Sequence, residues 1–269
     1  MSLIKEKFKS LALNNEKALI TYSVAGDPDI DSSEKIIEEF IENGADIIEI
    51  GVPFSDPMAE GPVIQLGHER ALLNKISIED VLSMSRRIKK KYENTPLVLM
   101  GYMNNFLSLG DELFSKLKDN GIDGLIIVDL PYEESSVFLK KLNKENIDLI
   151  RLISPTTTQE RINKIISTSS GYLYYISLKG VTGSNISISS DLDERIKNIK
   201  EQTELPIVVG FGIKDSDTAN KMALISDGVV VGSKLVDEIS KLEDSDEIRS
   251  KDNLKSIIKD LKSGINNYG

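Results

Sequence analysis

One carboxylate interrupts an apolar strand in this chain, and the chemistry starts there. Glu49 stands within Ile47-Ile48-Glu49-Ile50, a β-branched run that reads as a buried strand. A buried carboxylate is costly unless it has a partner or a task. Burial among isoleucines raises its pKa, which is what a general acid/base at neutral pH requires. Pairing with a basic residue is the other reading of Glu49. Gly51 and Pro53 end the strand, and a proline-rich loop carries a second carboxylate, Glu60, before Pro62 opens a helix. Taken alone, Glu60 reads as a solvated loop residue.

Three glycine turns come late in the chain: Gly180-Val181-Thr182-Gly183, Gly210-Phe211-Gly212 and Gly232-Ser233. Each follows an apolar run. Glycine lets backbone N–H groups approach an anion closely, and Ser233 adds a hydroxyl and a helix N-terminus. Together they predict a phosphate site that needs no cluster of lysines or arginines. Tyr22, Tyr102 and Tyr174 fall at or near strand ends. They line an aromatic-binding pocket or pack with hydrogen-bonded hydroxyls. Asp129, ahead of Pro131, is a turn residue or a polar wall. His68 is the single histidine, in a predicted helix, and reads as a surface or packing residue. With one histidine and no cysteine, a zinc site is not expected, and Ser55 has no histidine placed for a triad.

The elements that must position these residues alternate regularly. Ile4, Phe8 and Leu11 predict a short N-terminal helix. Strands follow at Ala18–Tyr22, at the Glu49 run, and at Pro96–Gly101, Leu125–Val128, Asp148–Ile153, Tyr172–Ser177, Pro206–Val209 and Gly228–Val231. Helices lie between them. The second is capped by Asp31 or Ser32, the one before Pro96 by Ser77, and the one after Ile153 starts at Thr157 or Thr158. Leu254, Ile257, Ile258 and Leu261 mark a closing amphipathic helix. Near-continuous apolar strands belong to a parallel sheet covered on both faces. Eight such units in 269 residues predict a (β/α)8 TIM barrel, one α/β domain over residues 1–269 with an extra N-terminal helix. A doubly wound open sheet is the rival, but the first strand lacks its glycine fingerprint. The acidic stretch Asp237 to Glu247 reads as a solvated loop or helix face.

A formal charge of −10 argues against nucleic acid and anionic membranes as partners. No signal-peptide pattern or membrane-span pattern is present, so a cytoplasmic protein is expected.

The run Glu49-Ile50-Gly51-Val52-Pro53-Phe54-Ser55-Asp56-Pro57-Met58-Ala59-Glu60-Gly61-Pro62 closely resembles the signature of the tryptophan synthase alpha chain. Gly26-Asp27-Pro28, Tyr102, Asp129-Leu130-Pro131 and the three glycine turns follow in family order. The resemblance implies a carbon–carbon lyase that cleaves indole-3-glycerol phosphate to indole and glyceraldehyde 3-phosphate without a cofactor or metal of its own. It also implies a beta-chain partner, in an alpha2beta2 heterotetramer, that uses pyridoxal phosphate to join indole to serine. By position, Glu49 resembles the catalytic acid/base, and Gly183, Gly212, Gly232 and Ser233 the phosphate grip. Tyr22, Ile64, Met100, Ile153, Tyr174, Thr182 and Phe211 fall where the family lines the indole pocket. Asp56-Pro57 falls where it signals to the beta chain.

The family has aspartate where this chain has Glu60, which moves a carboxylate out by one methylene, about 1.5 Å. Some members also carry arginine where Leu178 stands, beside Lys179. Three readings follow: a working lyase coupled to a beta chain, a regulatory partner with weakened chemistry, or a free-standing lyase.

Overall fold

The computed structural model describes residues 1–176, 190–210, 212–242 and 247–266. Parallel strands β1 (Ala18–Val24), β2 (Ile47–Gly51), β3 (Leu97–Gly101), β4 (Gly124–Ile127), β5 (Asp148–Ile153), β6 (Leu173–Ile176), β7 (Ile207–Gly210) and β8 (Gly228–Val231) pair in sequence order and close into a barrel. The helices are α1 (Leu3–Leu13), α2 (Ile30–Glu42), α3 (Pro62–Leu73), α4 (Ile78–Lys91), α5 (Met103–Leu107), α6 (Leu113–Asp119), α7 (Ser135–Lys144), α8 (Gln159–Ser167), α9 (Ser190–Lys200), α10 (Ser216–Ile225), α11 (Ser233–Ser240) and α12 (Glu247–Asn266).

Alternation along each strand sorts the core into two bodies. Leu19, Ile48, Ile50, Leu97, Leu99, Leu125 and Leu149 pack outward against the helices. Ile20, Tyr22, Ile47, Val98, Ile126, Ile150 and Val208 fill the barrel interior. The predicted N-terminal helix buries Ile4, Phe8 and Leu11. It belongs to the interior body: Phe8 packs on Tyr172 with ring centroids 5.8 Å apart, and a Cβ on Gly124 would lie 2.9 Å from Ile4 Cδ1. Helix α1 therefore plugs the barrel beneath the strands.

A repeated clamp ties the strand starts. Asp46 accepts the Leu19 N–H, Asp123 the Leu97 N–H and Asp227 the Ile207 N–H, each at 2.8 Å. Each aspartate also meets a lysine, Lys262 at 2.7 Å, Lys89 at 2.7 Å and Lys200 at 2.9 Å respectively. These carboxylates serve stability at the face opposite the loops that follow the strands.

Ser77 and Thr158 cap α4 and α8 as predicted, and α4 has a full capping box with Asp80. Asp29, not Asp31 or Ser32, caps α2, because the helix begins a turn earlier, at Ile30. Of the acidic stretch, Glu238 is buried against Lys234 and Lys241 at 2.7 and 3.0 Å. Residues 243–246 lie outside the described residues, as does Ser177 of the predicted sixth strand.

Barrel closure between β8 and β1 depends on Gly228, which pairs with Ala18. A Cβ there would fall 2.8 Å from the Ala18 backbone oxygen. Gly228→Ala is expected to cost about 1–3 kcal/mol, since backbone cannot swing aside. A urea midpoint unchanged from wild type would refute this.

Candidate active site

Glu49 is where its strand places it: on the interior face of β2, in register with Tyr22 of β1 and Val98 of β3. It is fully buried. Tyr172 donates its hydroxyl to Oε1 at 2.5 Å, and Oε2 has no partner among the described residues. Burial lifts the carboxyl pKa to about 7, against the opposing pull of the Tyr172 bond. No basic residue pairs with Glu49 among the described residues.

The interior wall above it is aromatic and aliphatic. Tyr22, Ile64, Met100 and Tyr174 all pack with the interior body. Glycines give the tyrosines room. A Cβ on Gly51 would fall 2.3 Å from the Tyr22 hydroxyl, and one on Gly210 would fall 2.2 Å from the Tyr174 hydroxyl. Gly232 sits beside this wall, its Cβ direction 3.4 Å from Tyr22 and 3.7 Å from Ile64. Gly232 is the N-cap of α11 and supplies no capping side chain, so the helix opens on bare N–H groups at Ser233. Gly212 has φ +54°, a conformation that suits glycine. Gly212 and Ser233 are exposed.

Ile153 is a correction. It packs outward with the helix-facing core, paired in register with Tyr175, whereas its neighbour Leu152 pairs with Tyr174 and faces the interior. In a strand of period two, a shift of one residue exchanges the faces. Gly183, Thr182 and Phe211 lie outside the described residues.

Glu60 is not the solvated loop residue its position suggested. It is buried, and Tyr102 donates its hydroxyl to Oε2. The Tyr102 oxygen in turn accepts the Ala59 N–H at 3.0 Å, and Gln65 donates to the Glu60 carbonyl at 2.9 Å. Phe54 stacks on the Tyr102 ring at 4.7 Å. Burial raises the Glu60 pKa, and the Tyr102 bond opposes it. Tyr22 feels both Glu60 and Glu49, which with burial hold its hydroxyl protonated. Asp129 is a turn residue whose Oδ1 accepts the Met103 N–H at 2.7 Å. Asp56 and Pro57 lie on the loop between β2 and α3, with Asp56 exposed and Pro57 half-buried.

His68 and Tyr172 matter more than their sequence positions announced. Tyr172 is two residues from Tyr174, so shared strand parity was its signal. His68 is 2% exposed on α3. Its Nδ1 accepts the Phe54 N–H at 3.3 Å, so the neutral ring carries its proton on Nε2, 3.4 Å from the Tyr22 hydroxyl. It thus joins the loop to the pocket wall. Burial drives its pKa from 6.5 down to about 4. Its Cε1–H resonance is therefore expected to hold still from neutral pH down to about pH 5. A midpoint near 6.5 would show a solvated ring.

The arrangement offers a protonatable carboxyl at neutral pH, a second buried carboxylate, an apolar and aromatic interior wall and a helix N-terminus beside it. The whole chain, in fold and in sequence, is similar to known proteins. A solved tryptophan synthase subunit alpha from Legionella pneumophila superposes with TM-score 0.90 at 37% identity, covering 99% of both chains. A tryptophan synthase structure from M. tuberculosis, in a ligand-free form, gives 0.87 at 30% identity, covering 99% of this chain and 100% of that one. The tryptophan synthase alpha chain of Geotalea uraniireducens is 43% identical over 270 residues, spanning 100% of each sequence. With the family model described as tryptophan synthase alpha chain matching residues 8–266 as well, this chain belongs to the tryptophan synthase alpha chain family, lyases of tryptophan biosynthesis.

Proposed function

We propose that the chain cleaves indole-3-glycerol phosphate to indole and glyceraldehyde 3-phosphate, with Glu49 as the acid/base. The observation that carries this is the buried Glu49 carboxyl, with Oε2 unpaired among the described residues and a pKa of about 7, beside the aromatic wall of Tyr22 and Tyr174. Protonation of indole C3 places positive charge on the ring nitrogen. Loss of the C3′ hydroxyl proton turns that carbon into an aldehyde, and the C3–C3′ bonding pair returns to the ring. The protons and electrons balance without a cofactor. A group titrating near neutrality can deliver one proton and take the other. Tyr22, Ile64, Met100, Tyr174 and Leu152 hold the indole in this reading. The ionised Glu60 steadies the positive nitrogen. Gly212, Gly232 and Ser233 receive the phosphate at the N-terminus of α11.

The loop between β2 and α3 is the proposed contact with a beta chain, which holds pyridoxal phosphate in this reading. Asp56 is exposed there, and Met58 is 82% exposed, an apolar side chain suited to a protein partner. Indole release from indole-3-glycerol phosphate, assayed with and without a beta chain, tests the proposal. No release in either case would reject it.

A second reading has one observation in its favour. Tyr102 occupies one oxygen of Glu60, which leaves that carboxylate less free to serve the indole nitrogen. A chain that raises beta-chain serine turnover while its own cleavage stays near background would be a regulatory partner.

A further inference from the structure

A second polar cavity lies on the outer side of the barrel, between β5, α8 and the loop after β4. Its volume is about 310 Å³. Arg151 is its centre. This arginine sits on β5 between Ile150 and Leu152, which both face the interior, so its own side chain points outward under α8. Only 6% of Arg151 is exposed. Its Nη1 donates to the Leu130 carbonyl at 2.5 Å. Its Nε and Nη2 are buried, and among the described residues they have no hydrogen-bond partner and no carboxylate comes within ion-pair distance. Glu133 acts on Arg151 only through space; a buried guanidinium with no carboxylate in hydrogen-bond contact is unfavourable, and arginine cannot escape the cost by losing its proton.

The unpaired atoms are not scattered. Nε and Nη2 form one edge of the guanidinium, the edge that grips two coplanar oxygens in parallel. A second cation, Arg161 of α8, lines the same cavity and lies over the Tyr132 ring at 5.2 Å. One carboxylate, Asp129, also lines it, but its Oδ1 is taken by the Met103 N–H. Leu130 and Ile165 add apolar wall. Glu49, Glu60 and the other pocket residues named above, except Leu152, are not part of this lining.

We propose that this cavity is a binding site for a small organic oxyanion, a carboxylate or phosphate monoester with a compact apolar body, gripped by the Nε–Nη2 edge of Arg151. The oxyanion supplies the bonded acceptors that Nε and Nη2 lack, Arg161 adds a second donor at the mouth, and the apolar body lies on Leu130 and Ile165. This site does not depend on the lyase reading.

The test follows the Arg151 Nε–H resonance of the full chain while benzoate, phenyl phosphate or neutral benzyl alcohol is added. Occupation of the barrel interior is read separately at the Gly232 and Ser233 amides. The expected result is a saturable shift of Arg151 with benzoate or phenyl phosphate, and none with benzyl alcohol. The stronger of the two anions identifies the head group. The same anion should raise the Tm of wild type but not of Arg151→Met. Arg151→Met removes an unpaired buried charge, so it should fold with an equal or higher Tm. Arg161→Gln, on the exposed side, should weaken binding roughly tenfold, the scale of one lost charge-assisted contact. The proposal is overturned if neither anion saturates the Arg151 shift, if benzyl alcohol matches them, or if Arg151→Met keeps the anion-dependent rise in Tm.

Discussion

Glu49→Gln is expected to reduce indole release by roughly 100- to 10,000-fold, the range that a general acid/base supplies. The substitution keeps the shape and lets Tyr172 keep donating to Oε1, but no proton can be exchanged there. The loss should fall on kcat, with KM for indole-3-glycerol phosphate little changed. Stability gives a second readout, of the raised pKa itself. The Glu49 pKa rises from 4.5 to about 7 on folding. Between those values the folded chain holds a proton that the unfolded chain has released, so native stability falls as pH rises through that window. The full cost, about 3 kcal/mol, is present above pH 7 and absent below the unfolded pKa. Glu49→Gln removes it. The variant should therefore gain stability over wild type as pH rises from about 5 to 8. A stability difference that stays flat across that range would reject the raised pKa, and retained activity would reassign the acid/base.

Glu60→Asp, which introduces the aspartate of the resembled signature, is expected to lower activity here. The loop is built around the longer side chain: Tyr102 donates to Glu60, Ala59 donates to Tyr102, and Phe54 stacks on the same ring. Shortening by one methylene withdraws the carboxylate by about 1.5 Å. It also leaves the Tyr102 hydroxyl without its acceptor. A misplacement of this size costs on the order of 100-fold in rate. Measured indole release equal to or above wild type would show that the loop relaxes freely, or that Glu60 is the cause of a weakened active site. Glu60→Gln separates charge from position. It retains an acceptor for Tyr102 but loses the negative charge, so it should cost roughly 100-fold in kcat if the charge steadies the indole nitrogen.

Much of this was legible in the residues. The eight strand runs, the helices between them and the plug helix follow from apolar pattern, capping residues and turn glycines. Glu49 declared itself because a carboxylate in an isoleucine run needs an explanation. Gly232-Ser233 declared itself because glycine ahead of a helix exposes N–H groups. Which face a strand residue takes was not legible. In a parallel barrel both strand faces are buried, so the apolar run is continuous and the alternation that reveals inside from outside is silent. The pattern therefore offers no check on the family position of Ile153, and the structure turns Leu152 to the interior instead.

Sequence by itself determined the order of elements, the barrel and the identity of the acidic groups, because these depend on local periodicity and on residue chemistry. Tertiary structure alone decided the partners. That Tyr172 reaches Glu49 across 123 positions, that Tyr102 holds Glu60, that His68 joins Tyr22 to Phe54, and that Arg151 lies buried with two nitrogens unpaired among the described residues follow from barrel closure. Closure brings distant strands side by side, and no local pattern encodes which of their side chains then meet.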